Sequence, residues 1–324
     1  MPIPEYYILE GGDRMPRIGF GTWQASDEVL EKSVESALEA GYRHFDTARA
    51  YENEAALGRA LNKWIGADAA KRKELFVVTK LPPGGNRPDL VPEYFEASFK
   101  DLGLEYIDLY LMHTPFAFEH VPGDLHPKNP DGTMKVDHST DLLAVWKSLI
   151  KLKESGRVRH VGVSNLNAEQ LSRVCAVQRP ACLQVEVHAL CQQAALADEA
   201  QRLGVPIVAY SPLGSKALAD ALAEKTGREY PDLLQLDVVK RIAQAHSRSP
   251  AQVLLRHNLQ RGLAAIPKST NPERIKQNIS VWDFELTPEE MGELAALDRG
   301  ENGRICDFSF FLGIDEHPEF PFKK

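Results

Sequence analysis

GYRHFDTARAYENE, residues 41–54, links the end of one helix through a short buried strand to the start of another helix. Gly41 follows an apolar run with helical spacing, where a residue in the left-handed conformation commonly ends a helix. The strand over Arg43–Phe45 is expected to place Asp46 at its carboxyl end, and Tyr51 follows in the turn. An acid and a phenol at a strand end indicate a site, although a single acid before a helix is more often only a cap.

Strand-like and helix-like segments alternate along the rest of the chain. The opening is expected to form a hairpin turned at Gly11-Gly12, before a first strand that ends near Gly21. Further strands are predicted in LFVVTKL, IDLYLMH, VRHVGVSN, CLQVEVH, VPIVAYSPLG and LAAIPKS. Eight apolar strands, each followed by a helical connection, predict a parallel sheet covered by helices, and so a (β/α)8 TIM barrel. The prediction is one α/β domain over residues 1–324, with an N-terminal β-hairpin, two long loops (114–139 and 214–233) and a C-terminal tail over the active-site face.

A doubly wound parallel sheet is the alternative fold. Its dinucleotide-binding form requires a G-x-G-x-x-G fingerprint after the first strand. The nearest match is Gly19-Phe20-Gly21, and Gln24 stands where the third glycine should be. The barrel is therefore preferred.

Composition excludes several classes of function. A net charge of -8 argues against a nucleic-acid or anionic-membrane partner. The segment MPIPEYYILE has neither a basic region nor an apolar run, so no signal peptide is expected, and no run reaches the roughly 18 apolar residues of a membrane span. The four cysteines form no CxxC pair and no zinc-like spacing, which predicts a reduced, cytoplasmic protein without a metal site.

Four polar residues follow three consecutive strands: Asp46, Tyr51, Lys80 and His113. Taken singly, each also fits a structural role, as a cap, a rim aromatic, a solvated charge or a core histidine. Strand ends of a barrel converge on one face, so their joint placement predicts an active site.

The chemistry of these side chains predicts proton transfer. A free tyrosine has a pKa of about 10, and a nearby cation such as Lys80 is expected to lower it, with Asp46 holding the lysine charged. Tyr51 then serves as a general acid toward a substrate oxygen, to which His113 donates a hydrogen bond. The carbon must receive hydride, which no side chain supplies, so a nicotinamide cofactor is implied.

Eight motifs extend this pattern over the chain. They are GFGTW at 19–23, GYRHFDTAxxYxNE at 41–54, VTK at 78–80, LYLMH at 109–113, GVSN at 162–165, QVEVH at 184–188, AYSPLG at 209–214 and IPKSTNPERIKQN at 266–278. With these motifs the chain resembles the aldo-keto reductases over essentially its full length. The resemblance implies a catalytic tetrad of Asp46, Tyr51, Lys80 and His113, with Tyr51 as proton donor.

The resemblance also implies NADPH/NADP+ bound in an extended form across the barrel mouth. Ser164, Asn165 and Gln184 are expected to hold the carboxamide, and Tyr210 to stack on the nicotinamide ring. The implied cofactor-binding residues are Gly21, Thr22, Trp23, Asp46, Ser164, Asn165, Gln184, Tyr210, Ser211, Leu213, Ser215, Lys268, Ser269, Thr270, Arg274, Gln277 and Asn278.

The stretch 266–278 also has a physical interpretation of its own. Lys268 and Arg274, with two hydroxyls between them, lie beside a helix start at Pro272, where free backbone N–H groups favour anions. A capped, solvated helix start is the alternative. In the family this pocket holds the adenosine 2′-phosphate, with Gln277 and Asn278 toward the adenine, so NADPH is expected to be preferred over NADH.

Substrate choice is expected to depend on the loops. Many relatives have an aromatic residue directly after the histidine, where this chain has Thr114, which predicts room for bulkier or more polar carbonyl compounds, and the tail is somewhat similar to members that reduce steroid-like ketones. Other aromatic residues, among them Phe118, Phe310 and Phe311, are candidates for an apolar slot. The predicted substrate-binding residues are Trp23, Tyr51, His113, Thr114, Phe116 and Phe308.

The predicted function is NADPH-dependent reduction of small aldehydes or ketones to alcohols by a monomer. A metal-dependent barrel hydrolase is one alternative, but the first strand has no HxH and His113 has no evident histidine partner. A cofactor-binding structural or auxiliary protein with little turnover is the other, because a fold does not determine function.

Overall fold

The first element is a two-stranded hairpin that covers one end of the molecule. The computed structural model of the chain describes residues 3–322. Strands β1 (Tyr6–Ile8) and β2 (Arg14–Pro16) pair antiparallel around a 3-10 turn at Glu10–Gly12. Gly11 and Gly12 have φ values of 82° and 88°, a conformation that glycine adopts without steric cost, so the hairpin turns where the sequence predicts.

Within residues 3–322, eight parallel strands are hydrogen-bonded side by side in chain order. Backbone bonds from Gly19 N to Ala265 O (2.9 Å) and from Ala265 N to Arg17 O (2.8 Å) join the first of these strands to the last. The sheet therefore closes, which confirms the TIM barrel and excludes the doubly wound alternative. The strands are β3 (Phe20–Gly21), β4 (His44–Asp46), β5 (Phe76–Leu81), β6 (Ile107–Met112), β7 (Val158–Ser164), β8 (Leu183–Glu186), β9 (Ile207–Tyr210) and β10 (Ala264–Ala265).

Helices surround the barrel and bury one apolar face each. In the first, Leu30, Val34, Ala37 and Leu38 are buried, as their spacing predicts. Ser26 precedes this helix, but its side chain forms no capping hydrogen bond. Across the described residues the α-helices are α1 (Asp27–Glu39), α2 (Glu54–Ile65), α3 (Ala69–Glu74), α4 (Val91–Leu102), α5 (Leu142–Lys153), α6 (Ala168–Val177), α7 (Ala194–Arg202), α8 (Lys216–Thr226), α9 (Asp237–Ala245), α10 (Pro250–Gln260), α11 (Pro272–Ile279) and α12 (Pro288–Ala295).

The alternation of side chains along each strand decides which residues enter the barrel. On β5, Phe76 and Val78 belong to the cluster inside the barrel, whereas Val77 packs in the cluster between strands and helices. Because successive side chains point to opposite faces, Lys80 has the same inward parity as Val78. On β6, Leu109 and Leu111 are inward, and His113 continues their parity. The alternation along β5 and β6 therefore directs the side chains of Lys80 and His113 into the barrel mouth.

The two long connections differ. Residues 113–141 have no helix and are held by isolated bridges such as Phe118 with Val136 and Lys128 with Met134. The second connection was expected to be a long loop, but it contains α8, so that prediction is only partly right. Its sequence KALADALAEKT is rich in strong helix formers, which is the signal that identifies it as a helix.

Candidate active site

A cavity of about 800 Å³ opens at the carboxyl ends of the barrel strands. Lys80, Phe116 and Gln277 are predicted site residues that do not line it. The predicted residues that line the cavity are Gly21, Thr22, Trp23, Asp46, Tyr51, His113, Thr114, Ser164, Asn165, Gln184, Tyr210, Ser211, Leu213, Ser215, Lys268, Ser269, Thr270, Arg274, Asn278 and Phe308.

Lys80 lies behind the cavity surface in a buried ion pair with Asp46. The Lys80 Nζ donates to Asp46 Oδ1 at 2.6 Å and to the Thr47 carbonyl oxygen at 2.8 Å. Burial alone lowers the pKa of Lys80, but Asp46 and Tyr51 together outweigh burial, so the pKa is raised and the lysine is charged. Gln184 Nε2 donates to the second oxygen, Asp46 Oδ2, at 2.6 Å. Both carboxylate oxygens are thus hydrogen-bonded, which holds the buried charge in one position.

Tyr51 lies over this pair at the cavity surface. Its Oη is 3.3 Å from Lys80 Nζ, and its ring is under the same ammonium group at 4.9 Å. Lys80 lowers the pKa of Tyr51 as expected, but burial raises it more, so the pKa lies above its ordinary value. The tyrosine is therefore a protonated phenol at neutral pH, and Lys80 is placed to stabilise the phenolate that would remain once the proton has left.

His113 follows β6 directly, and its ring stands edge-on to Tyr51 with centroids 5.7 Å apart. Burial first, and then the positive charge of Lys80, hold the pKa of His113 well below its ordinary value. The imidazole is therefore neutral. Its Nδ1 is buried without a hydrogen-bond partner among residues 3–322, which leaves Nε2 as the nitrogen that reaches the cavity. A neutral ring protonated on Nε2 can donate a hydrogen bond to a substrate oxygen.

Three polar side chains form a chain of hydrogen bonds beside the tetrad. Tyr210 Oη donates to Asn165 Oδ1 at 2.8 Å, and Asn165 Nδ2 donates to the His113 carbonyl oxygen at 2.9 Å. Ser164 Oγ donates to the Gln184 carbonyl oxygen at 2.8 Å. The family resemblance implies Ser164, Asn165 and Gln184 at the carboxamide and Tyr210 against the nicotinamide ring, and the structure brings these four residues together.

At the other end of the cavity, two cations without an acidic partner among residues 3–322 lie beside the start of α11. Asn271 caps the helix by accepting from Arg274 N at 3.0 Å. Within the described chain, neither Lys268 nor Arg274 forms an ion pair. Lys268 Nζ donates only to the Gln24 carbonyl oxygen, at 3.5 Å. Two cations without an acidic partner next to Ser269 and Thr270 fit a phosphate group of a dinucleotide.

The substrate side of the cavity is aromatic. Phe308, Phe310 and Phe311, which we call the aromatic wall, line it together with Trp23. Phe116 was predicted to touch substrate, but it is fully buried behind the wall, with its ring 5.0 Å from that of Phe308. It supports the wall rather than forming its surface.

Thr114 lines the cavity, but its hydroxyl donates to the Phe116 carbonyl oxygen at 2.9 Å. The Thr114 hydroxyl proton is therefore not available to a substrate. The extra room expected beside Thr114 stays a prediction.

Glu186 holds the tail over the cavity, and the sequence interpretation missed it. Its two carboxylate oxygens accept from Ile305 N and Cys306 N, each at 2.8 Å, and Oε1 also bonds to His188 Nε2 at 2.8 Å. Burial alone raises the pKa of Glu186, but the bonds and charges of His188 and Arg304 bring it below its ordinary value. The signal was available, because an acid ends the strand in QVEVH, but its partners in the tail are more than a hundred residues away in sequence.

Cys306, which this anchor places at the cavity, is an unreactive thiol in this structure. Burial is the main reason that its pKa is raised to about 12. Only a small fraction is therefore thiolate at neutral pH.

Two further findings concern the described residues. Between residues 3 and 322 no cluster of three or more His, Cys, Asp or Glu side chains is arranged to hold a metal ion, so the hydrolase alternative lacks a ligand set there. No helix in that part of the chain is long and apolar enough to cross a membrane.

Comparison with known proteins places this geometry in context. The sequence model of the Aldo/keto reductase family matches residues 17–299. Aldo-keto reductase family 1 member A1 from Gallus gallus is 42% identical, with 91% of this chain and 89% of the relative covered. The protein of the same name from Homo sapiens is 43% identical, with 90% and 89% covered.

Solved structures agree with the sequence comparisons. The aldose reductase from Schistosoma japonicum superposes with a TM-score of 0.88 at 36% identity, and 99% of each chain is covered. The Bombyx mori aldo-keto reductase in complex with NADP gives a TM-score of 0.85 at 33% identity, with 99% of this chain and 100% of that chain covered.

Proposed function

Because the chain belongs to the aldo/keto reductase family, we propose that it is an aldehyde reductase that converts aldehydes and ketones to alcohols with Tyr51 as proton donor. Its cofactor is NADP(H), and carbonyl reduction is its class of reaction. The observation that carries the proposal is the Asp46–Lys80–Tyr51 series of contacts, at 2.6 Å and 3.3 Å, beneath the cavity.

In this proposal the substrate oxygen lies between Tyr51 Oη and His113 Nε2. The reduced nicotinamide, when bound, supplies the hydride that the carbonyl carbon needs. The hydrogen bond from His113 orients the oxygen and stabilises the negative charge that develops on it. Tyr51 then transfers its phenolic proton to that oxygen, and Lys80 stabilises the phenolate. Asp46 keeps Lys80 charged throughout.

Replacement of Tyr51 by phenylalanine tests this role. Tyr51→Phe removes the proton and keeps the ring, so kcat for aldehydes is expected to fall by a factor on the order of a hundred to ten thousand. NADPH binding, measured by protein fluorescence, is expected to stay near that of the wild type. Tyr42→Phe is the matched control, because Tyr42 is buried away from the cavity and donates to the Ile275 carbonyl oxygen. Equal kcat for Tyr51→Phe and the control would remove Tyr51 from the mechanism.

Arg274 and Lys268 support a preference for NADPH. We propose that they contact the adenosine 2′-phosphate, the group that NADH lacks. Arg274→Met is expected to weaken NADPH binding about tenfold or more and to leave NADH binding within about twofold, because a charged hydrogen bond contributes about 1.5–3 kcal/mol. Titration of each variant with NADPH and with NADH measures the two affinities. Arg299→Met, at a residue outside the cavity, is the control. Equal losses for the two cofactors would contradict the phosphate role.

The aromatic wall, which lines the substrate side of the cavity, supports bulky apolar carbonyl substrates, with steroid-like ketones among them. NADPH oxidation against aromatic aldehydes, sugar aldehydes and steroid ketones tests the substrate class. Turnover restricted to sugar aldehydes would contradict this choice. Cofactor binding without turnover of any class would favour a structural or auxiliary role.

We also propose that the enzyme is a cytoplasmic monomer. Its four cysteines are unpaired, as in a reducing compartment. Light scattering at micromolar concentration and localisation of a tagged chain test the two parts separately.

A further inference from the structure

His126 is a histidine in the substrate side of the cavity that the tetrad does not use. It comes from the long connection 113–141 and is half-buried. Its ring stacks on Phe311, with centroids 5.7 Å apart and planes at 24°. The backbone is held as well, because His126 N donates to Asp124 Oδ1 at 2.9 Å. The imidazole is therefore a positioned part of the cavity surface.

Neither ring nitrogen of His126 has a hydrogen-bond partner in the part of the chain that the structure describes. Other polar groups on this side are already paired: the Thr114 hydroxyl donates to the Phe116 carbonyl oxygen, and the Cys306 thiol pairs with Tyr210. The Trp23 indole can only donate, and its ring lies 6.5 Å from Tyr51, beside the position of the reacting carbonyl. His126 is thus a donor and acceptor available to a second substrate group.

The surroundings of His126 decide which second group it suits. Burial lowers its pKa, and the nearby carboxylates of Glu52 and Asp124 offset only part of that effect. The ring is accordingly neutral at neutral pH, with one nitrogen as donor and the other as acceptor. A carboxylate on the substrate can only accept, so it would use the donor nitrogen alone. A hydroxyl, which both donates and accepts, matches it.

We infer that His126 is a specificity-determining residue that hydrogen-bonds a hydroxyl group on the substrate, remote from the carbonyl that is reduced. This inference rests on the proposed carbonyl reduction. It narrows the substrate class to hydroxylated aldehydes and ketones whose remaining surface is apolar. In pockets of this kind, a few polar groups in an apolar surface determine orientation.

The experiment compares hydroxylated substrates with methyl analogues of similar size. Ortho-, meta- and para-hydroxybenzaldehyde are each paired with the corresponding methylbenzaldehyde, and kcat/KM is measured for each pair with NADPH. His126→Phe keeps the stacking on Phe311 and removes both nitrogens. For at least one pair, the hydroxyl-to-methyl ratio of kcat/KM is expected to fall about five- to tenfold in this variant. Because ratios are compared between proteins, the intrinsic reactivity of each aldehyde cancels.

Two further variants separate recognition from folding. His126→Gln restores a donor and an acceptor and is expected to recover part of the ratio. His138→Phe makes the same substitution in the same loop, at an exposed residue outside the cavity, and is expected to leave the ratio within twofold. The inference would be overturned if the hydroxyl-to-methyl ratio changed less than twofold in His126→Phe for every pair. It would also be overturned if the ratio fell by the same factor in His138→Phe.

Failure of the proposed function would look different. Absence of NADPH oxidation by the wild type with every aldehyde would contradict carbonyl reduction. Fluorescence titration of the same aldehyde pairs would then measure the His126 contact directly. For each pair, the affinity for the hydroxyl compound is divided by the affinity for its methyl analogue. If this ratio is the same in the wild type and in His126→Phe, the inference is overturned in that case too.

Discussion

The two sides of the cavity are built in different ways. The catalytic floor, which consists of Asp46, Tyr51, Lys80, His113 and Gln184, is held by short polar contacts between strand ends and the turns that follow them. The aromatic wall and His126 are carried by the tail and by the irregular connection 113–141, and they are held by ring packing. The catalytic floor has one arrangement because the buried charges of Lys80 and Asp46 have no other ion-pair partner among the described residues. The wall can change residue by residue without disturbing the chemistry below it.

Contacts distant in sequence anchor the wall. Glu319 forms a two-pronged ion pair with Arg173 on α6, at 2.7 Å and 3.0 Å. The ring of Phe322 stacks on that of Phe308, with centroids 5.6 Å apart, and the guanidinium of Arg304 lies over it at 4.0 Å. These contacts connect the end of the described chain to the substrate surface. A change in the tail should therefore alter KM before it alters kcat.

The largest expected effect comes from breaking the floor. Lys80→Met leaves the buried Asp46 carboxylate without its cation, so stability is expected to fall by about 3–5 kcal/mol and kcat by a factor on the order of a hundred or more. Thermal melting and single-turnover NADPH oxidation measure the two effects.

In the double variant Asp46→Asn with Lys80→Met, stability should recover and activity should not. Lys153→Met, which removes a partly exposed lysine paired with Glu10, is the control. Recovery of activity in the double variant would show that the pair serves folding alone.

An intermediate effect is expected where the tail joins the barrel. Glu186→Gln replaces one acceptor oxygen by an amide NH2 that faces the N–H of Ile305 or Cys306, which costs about 1–3 kcal/mol. We expect KM to rise about tenfold for a bulky aldehyde while kcat changes less than threefold, because the floor does not depend on this contact. Steady-state kinetics measure the split, and Glu316→Gln at an exposed tail position is the control. A fall in kcat at unchanged KM would mean that the wall and floor are not independent.

The smallest effect is expected at the partly exposed Glu319–Arg173 pair. The pKa of Glu319 lies below its ordinary value, because the bonds from Arg173 and Gln170 outweigh burial. A lowered carboxyl pKa contributes stability above the unfolded pKa of about 4.3, and this contribution is lost as the pH falls through the folded pKa. Arg173→Met should therefore destabilise by up to about 1 kcal/mol at pH 7 and much less near pH 3.

Melting curves of Arg173→Met and the wild type at the two pH values test this expectation. At pH 7, the KM of Arg173→Met for a bulky aldehyde should be two- to threefold higher than that of the wild type. The reversed pair, Arg173→Glu with Glu319→Arg, is the matched control and should restore both properties. A destabilisation of equal size at both pH values would assign the contact to packing rather than charge.

Much of the floor was predictable because each of its residues carries a local signal. Asp46 ends β4, Lys80 lies near the carboxyl end of β5 and His113 follows β6, and strand parity determines which way they point. The wall was less predictable. Phe116 and Phe308 are equally apolar in sequence, yet one is buried behind the other.

The sequence by itself determined the barrel, its strand ends and the cation cluster at α11, because apolar periodicity and strand parity are local properties. Tertiary structure alone decided the rise of the Tyr51 pKa through burial, the anchoring of the tail by Glu186 and the exposure of His126 to the cavity. The physical reason is that desolvation and ring packing depend on every neighbour in space. Those neighbours come from segments as far apart as β4 and the tail.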